Sequence, residues 1–160
     1  MKKIVPLNED IYTSDVFQIL LDYEIARSKR YPSPLSLIQI EMTPYGLSTE
    51  ALSAAPGIFS SALNAHLRSV DIPSKAGNTF MLLLPNSDKH GAQAVCERLL
   101  SVFKNKFDAP DGSSVTFSLH IGSTTHAGGP TITRESILEK ADDALKQSRL
   151  KGANTFVFLS

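Results

Sequence analysis

Apolar residues recur along the chain at two spacings, and the switches between them outline its elements. Val16, Phe17, Leu20, Leu21 and Ile25 repeat at helical spacing behind Ser14-Asp15, which can cap the helix, and Pro32 and Pro34 stop it after the run RSKRY. Residues 35–42, LSLIQIEM, are short, apolar and bounded by prolines, which predicts a buried strand. Residues 47–69 predict helix in two pieces, because Ala55-Pro56-Gly57 interrupts the pattern. Two strands, near 72–76 and 79–84, flank Gly77-Asn78; both residues tolerate the positive φ of tight turns, so KAGNTFMLLLP reads as a β-hairpin. Ser87-Asp88 starts another helix, with Ala92, Val95, Cys96, Leu99, Leu100 and Phe103 on one face. After a loop holding Ala109-Pro110-Asp111-Gly112, Val115, Phe117, Leu119 and Ile121 alternate with Thr116, Ser118 and His120 as in a half-buried strand. Thr133 caps a last helix with Ile137, Leu138, Ala141, Ala144 and Leu145 inward, Gly152 stands where a C-terminal glycine cap belongs, and TFVFL closes the chain as a strand. The order α-β-α-β-β-α-β-α-β predicts an α/β (α+β) domain: a mixed central sheet of about five strands covered by helices.

Composition adds bounds to this picture. At 160 residues the chain is expected to be a single domain, 1–160, without repeats or low-complexity segments. Sixteen basic and sixteen acidic residues cancel, so no global field draws the chain to nucleic acid or an anionic membrane, and any anionic ligand must be held locally. The start, MKKIVPLNEDIY, does not make a signal peptide, and no apolar run approaches a membrane span. The one cysteine, Cys96, cannot form an internal disulfide and fits a reducing, cytoplasmic setting.

Four stretches together resemble the diguanylate cyclase, or GGDEF, domain over nearly the whole chain. EIARSKRYPSPLSLIQIEM is similar to that family's first helix and strand, and RSVDIP to its R-x-x-D inhibitory motif. KAGNTFMLLLP occupies the place of the R-Y-G-G-D/E-E-F hairpin, and ADDALKQSRLKGANT is similar to AD.ALY.AK..GRN. The resemblance implies a domain whose relatives join two GTP molecules into cyclic di-GMP across a pair of subunits, using divalent metal held by carboxylates. Hard Mg²⁺ wants oxygen ligands, preferably anionic ones.

Set against that pattern, this chain lacks the acids. The family's first-strand metal aspartate falls at Gln39, and Glu41, two residues on, is not at the usual ligand position. Either pairing of the hairpin, which is one residue short, places Ala76, Gly77, Asn78 or Thr79 where the motif's acids belong. The loop F-K-x-x-N-D becomes Thr43-Pro44-Tyr45-Gly46-Leu47-Ser48, and neither guanine-reading residue has a counterpart. The last-helix lysine becomes Arg149, a candidate for meeting a phosphate; the tyrosine becomes Lys146, the arginine after glycine becomes Ala153, and a strand glycine falls at His120. Groups that act as one constellation are lost together. The expectation is a degenerate, non-catalytic module with no metal site and no cofactor, acting through a protein partner or homodimer contact. The alternatives are a dedicated cyclic di-GMP receptor, or a GTP-binding or residual nucleotidyl cyclase domain.

Arg68 and Asp71 retain the R-x-x-D pattern, which in active relatives binds the product as an inhibitor. A guanidinium can meet phosphate or the O6/N7 edge of guanine bidentately, and a carboxylate can accept from guanine N–H groups. The plainer alternative is an i,i+3 ion pair at a helix end. The remaining candidates are ordinary. His66, His90, His120 and His126 share no metal spacing, Thr125–Pro130 lacks the Lys-Ser/Thr of a phosphate loop, RSKR is a favourable cationic helix end, and Asp142 can meet Lys146 at i,i+4.

Overall fold

The computed structural model describes residues 11–160. In chain order the elements are β1 (Tyr12–Thr13), α1 (Ser14–Arg30), β2 (Leu35–Gly46), α2 (Thr49–Ala65), β3 (Ile72–Ala76), β4 (Thr79–Pro85), α3 (Lys89–Val102), β5 (Phe107–Asp108), β6 (Ser114–His126), α4 (Arg134–Lys151) and β7 (Thr155–Leu159). The strands form one mixed sheet in the order β1-β3-β4-β2-β6-β5, with β7 added to β6. β1 runs parallel to β3 and β7 parallel to β6, and every other pairing is antiparallel.

The period-two alternation of the central strands sorts their side chains into two cores. Ile38, Ile40 and Met42 of β2 join Phe80, Leu82 and Leu84 of β4 beneath α2 and α3, which contribute Ala55, Phe59, Leu63, Val95, Cys96 and Leu99. Leu35 and Leu37 point the other way and join Phe17, Leu21 and Ile25 of α1 with Ile137 and Ala141 of α4. Phe59 anchors the first core: its ring centroid lies 4.7 Å from Phe80, 4.2 Å from Phe103 and 5.3 Å from Phe117. Burial pushes the Cys96 thiol up to about 12, so it remains protonated.

Among the described residues the sheet holds the expected strands, here β2, β3, β4, β6 and β7, and two more. β1 and β5 are two residues each, too short to leave an alternating pattern. Residues 49–65 form one helix that passes through Pro56, where two pieces were expected. Ala51, Ala55, Phe59 and Leu63 all reach the core along one stripe, and that burial outweighs the loss of one backbone hydrogen bond at proline. The cap of α1 is also different: Thr13 is the capping residue and makes no side-chain cap bond, so Ser14-Asp15 lies inside the helix. The expected caps Asp88, Thr133 and Gly152 are in place; Asp88 Oδ1 accepts from Gly91 N at 2.9 Å and Thr133 Oγ1 from Ser136 N at 3.1 Å.

β2 and β6 outrun the predicted strands and pair continuously from Leu35 with His126 to Gly46 with Val115. The β2 partner on the other side, β4, stops at Thr79 opposite Glu41. Met42 N donates to Asn78 O at 3.1 Å on that side, so Pro44, two residues on, turns its hydrogen-free nitrogen to the same open edge. Proline is tolerated in this strand because the missing donor falls where no neighbour needs it. It also blunts the edge against pairing with another strand.

Candidate functional site

Gln39, where the family resemblance places a metal ligand, and Glu41, two residues on, share the α4 face of the sheet. Gln39 lies across from Met81 on β4 and Gly122 on β6; Glu41 lies across from Thr79 and His120. Alternation keeps both off the face occupied by Ile38, Ile40 and Met42. Arg149 reaches down from α4 and meets Glu41 as a fork, Nε to Oε1 at 2.8 Å and Nη2 to Oε2 at 3.2 Å. That hydrogen-bonded guanidinium lowers the Glu41 carboxyl below its ordinary value despite partial desolvation, and Glu41 in turn raises Arg149. The Arg149 proposed as a phosphate contact is thus held by the nearest acid. Gln39 Oε1 and His120 Nδ1 are buried beside this pair without a hydrogen-bond partner.

The hairpin tip consists of Gly77 and Asn78, enclosed by the Ala76–Thr79 pair. Gly77 has φ +64°, which places glycine first as in a type II′ turn and closes β3 onto β4 with no residue to spare. Ala76, Gly77 and Asn78 are exposed, but none carries a carboxylate. Among the described residues, no group of three or more His, Cys, Asp and Glu side chains could hold a metal ion. Thr43–Gly46, which falls where the family pattern has F-K-x-x-N-D, is paired strand opposite Ser118–Val115. A paired strand directs its backbone donors along the sheet instead of converging them on an anion.

Close packing explains how α4 brings Arg149 so near. A Cβ on Gly122 would lie 2.2 Å from Leu145 N and 2.7 Å from Ala141 O, so only glycine admits the helix backbone there. Gly122, two residues after His120, is therefore a glycine that the fold itself demands. Ser148, unremarked in the sequence, clasps the same contact: its Oγ accepts from Ile121 N and donates to Thr155 O, each at 3.1 Å. Its signal was a small residue recurring on the inward face at Ala141, Ala144 and Ser148.

Arg68 and Asp71 lie in the connection between α2 and β3. Asp71 Oδ2 accepts from Arg68 N at 2.8 Å, and Oδ1 accepts from Arg68 Nη2 at 2.8 Å and Nε at 3.2 Å. The same Nη2 donates to Pro85 O at 3.0 Å and Ser87 Oγ at 2.8 Å. The Asp71 side chain is 1% exposed and that of Arg68 50%. The pair clamps two connections together, with the arginine at the rim of a cleft of about 330 Å³ that also includes Glu24, Arg27, Val70 and Asn86. Removing the guanidinium strips a buried carboxylate of two donors, so Arg68→Ala should lower stability by about 1–3 kcal/mol, read as a shift in urea midpoint. A ligand assay on this variant therefore needs that unfolding curve beside it.

A broader concave surface of about 850 Å³ lies over α2, lined by Ala54, Pro56, Ile58 and Phe107 with Lys75 as its charged residue.

Comparisons with known proteins agree with this fold. The family model described as "Diguanylate cyclase, GGDEF domain" matches residues 57–155. Diguanylate cyclase DosC of Escherichia coli (strain K12) is 28% identical over 138 residues, 82% of this chain and 30% of that protein. The chain thus spans under a third of that relative's length. Among solved structures, the GGDEF domain of PA1120 (TpbB or YfiN) from Pseudomonas aeruginosa superposes with a TM-score of 0.82 at 18% identity, covering 98% of this chain and 95% of that one. Diguanylate cyclase SiaD, solved with its activator SiaC from the same organism, gives 0.75 at 21% identity over 99% of this chain and 62% of that one. At these identities the structures establish a shared fold.

Proposed function

The chain belongs to the diguanylate cyclase GGDEF family of cyclic di-GMP signalling, and from that premise we propose that it is a non-catalytic member acting through protein contact. The observation that carries this reading is the Glu41–Arg149 fork on the sheet face where metal-binding acids belong. Metal-assisted phosphoryl transfer needs anionic oxygens to hold the cation and offset charge on the transferring phosphate. Gln39 offers a neutral amide, Asn78 and Thr79 offer no charge, and Glu41, the acid on this face, is paired with Arg149. The intact cores, caps and hairpin leave a scaffold fitted to present surfaces. SiaD, which shares the fold, is known bound to a protein activator, and that precedent supports a partner for this chain.

Arg68 supports a second reading, in which the contact responds to cyclic di-GMP. Its guanidinium is half exposed at the cleft rim beside Arg27, and two arginines there suit a phosphate. Engaging Asp71 as well requires breaking the clamp, so binding would loosen the α2–β3 connection. Such coupling is how a ligand shifts a conformation.

Incubation with GTP and Mg²⁺, followed by chromatography for the cyclic dinucleotide, should show no product. Calorimetric titration with cyclic di-GMP and separately with GTP decides the second reading. Heat with the dinucleotide that vanishes in a folded Arg68→Ala variant supports it. Product from GTP would overturn the non-catalytic reading.

A further inference from the structure

The outer face of α1 carries a pattern that fits a second copy of itself. Ile19 and Tyr23 are 69% and 70% exposed, one helical turn apart, on the side away from Phe17, Leu21, Ile25 and Ser28, which the core buries. At about 100° per residue, Asp15, Ile19, Asp22, Tyr23, Ala26 and Arg30 fall within an arc of about 100°. All six are exposed. The stripe is symmetric about the point between Asp22 and Tyr23: Asp15 and Arg30 are equidistant from it, as are Ile19 and Ala26.

We propose that this face is a two-fold homodimer contact in which α1 packs antiparallel against α1 of a second copy. In that arrangement each Asp15 meets the partner's Arg30, each Ile19 covers the partner's Ala26, and the two Tyr23 rings cross at the centre. A self-complementary patch of this kind is what an isologous interface requires. Ala26, with its small side chain, permits the close approach of two helices opposite the larger Ile19. The segregation of charge along α1, Asp15 in the first turn and Arg27, Lys29 and Arg30 in the last, also suits the helix dipole. The dipole does not explain why Ile19 and Tyr23 share the exposed face with those charges, whereas pairing does. Asp22 is held on the flank by Arg134 at 2.9 Å, leaving Asp15 and Arg30 as the pair across the interface.

A contact along a helix of 17 residues is at the small end for protein interfaces, so association is weak, dependent on concentration and reduced by salt. It does not rest on catalytic silence or nucleotide binding, so its failure leaves the proposed function untouched.

Sedimentation velocity on the whole chain, from about 20 μM to about 1 mM to span a weak equilibrium, tests it. The chain should dimerise. Asp15→Arg alone and Arg30→Asp alone each place like charges at both ends of the contact and should weaken association about tenfold or more. The two variants mixed in equal amounts should form a heterodimer, since each then meets its opposite charge. Circular dichroism of each variant confirms that the helix is intact. A chain that stays monomeric throughout, or a mixture that associates no better than either variant alone, would overturn the proposal.

Discussion

Gly122→Ala is expected to destabilise the protein by about 3 kcal/mol or more, one of the largest effects a single methyl group can have here. The added carbon would lie 2.2 Å from Leu145 N and 2.7 Å from Ala141 O and Ala144 C. Those are backbone atoms of α4, not the ends of flexible side chains, so the helix must move as a body. Moving it stretches the two Ser148 bonds that join β6, α4 and the start of β7, and it disturbs the Arg149 fork one residue further on. Urea denaturation at 25 °C gives the number. Alanine at Gly57, where an added Cβ meets nothing within 4 Å, is the matched control. A Gly122→Ala midpoint equal to that of the control would show that α4 yields without cost.

Phe59→Ala should cost about 3–5 kcal/mol. The side chain is fully buried and touches Phe80 of β4, Phe103 after α3 and Phe117 of β6. One ring therefore fastens three elements to α2. Truncation loses the transfer energy of the ring, leaves a cavity, and removes aromatic contacts worth about 0.5–1.5 kcal/mol per pair beyond their area. Phe59→Leu, which keeps most of the volume, should lose much less. Equal losses in the two variants would mean that the cavity collapses and that the ring geometry contributes little.

Much of this fold is legible in the order of apolar residues, because long amphipathic elements announce their own period. The misses have physical causes. Pro56 argues locally for a break, but a helix with four core contacts along one side tolerates a proline that a peptide would not. The demand for glycine at Gly122 comes from the backbone of α4 lying against β6, and a period of two along the strand carries no sign of it. The expectation that Gln39, Asn78 and Thr79 stand at acid positions rests on residue type alone. That Arg149 would be tied to Glu41, or Asp71 sealed beneath Arg68, depends on contacts across 108 residues and across a folded turn. The i,i+3 spacing allows the Arg68–Asp71 pair but not the burial of its carboxylate, and spacing carries no record of the Arg149–Glu41 contact at all.

Cys96 offers a use that follows from where it sits. It is the chain's one cysteine, it is enclosed between α3 and the sheet, and its proton is held tightly there. A thiol in that state is chemically silent, since the thiolate is the nucleophile and the reagent cannot reach it. It becomes reactive when α3 lifts from the strands, so each labelling event counts one opening of the core. The protein thus carries a built-in clock for its own breathing, readable by mass shift without adding a tag or replacing a residue.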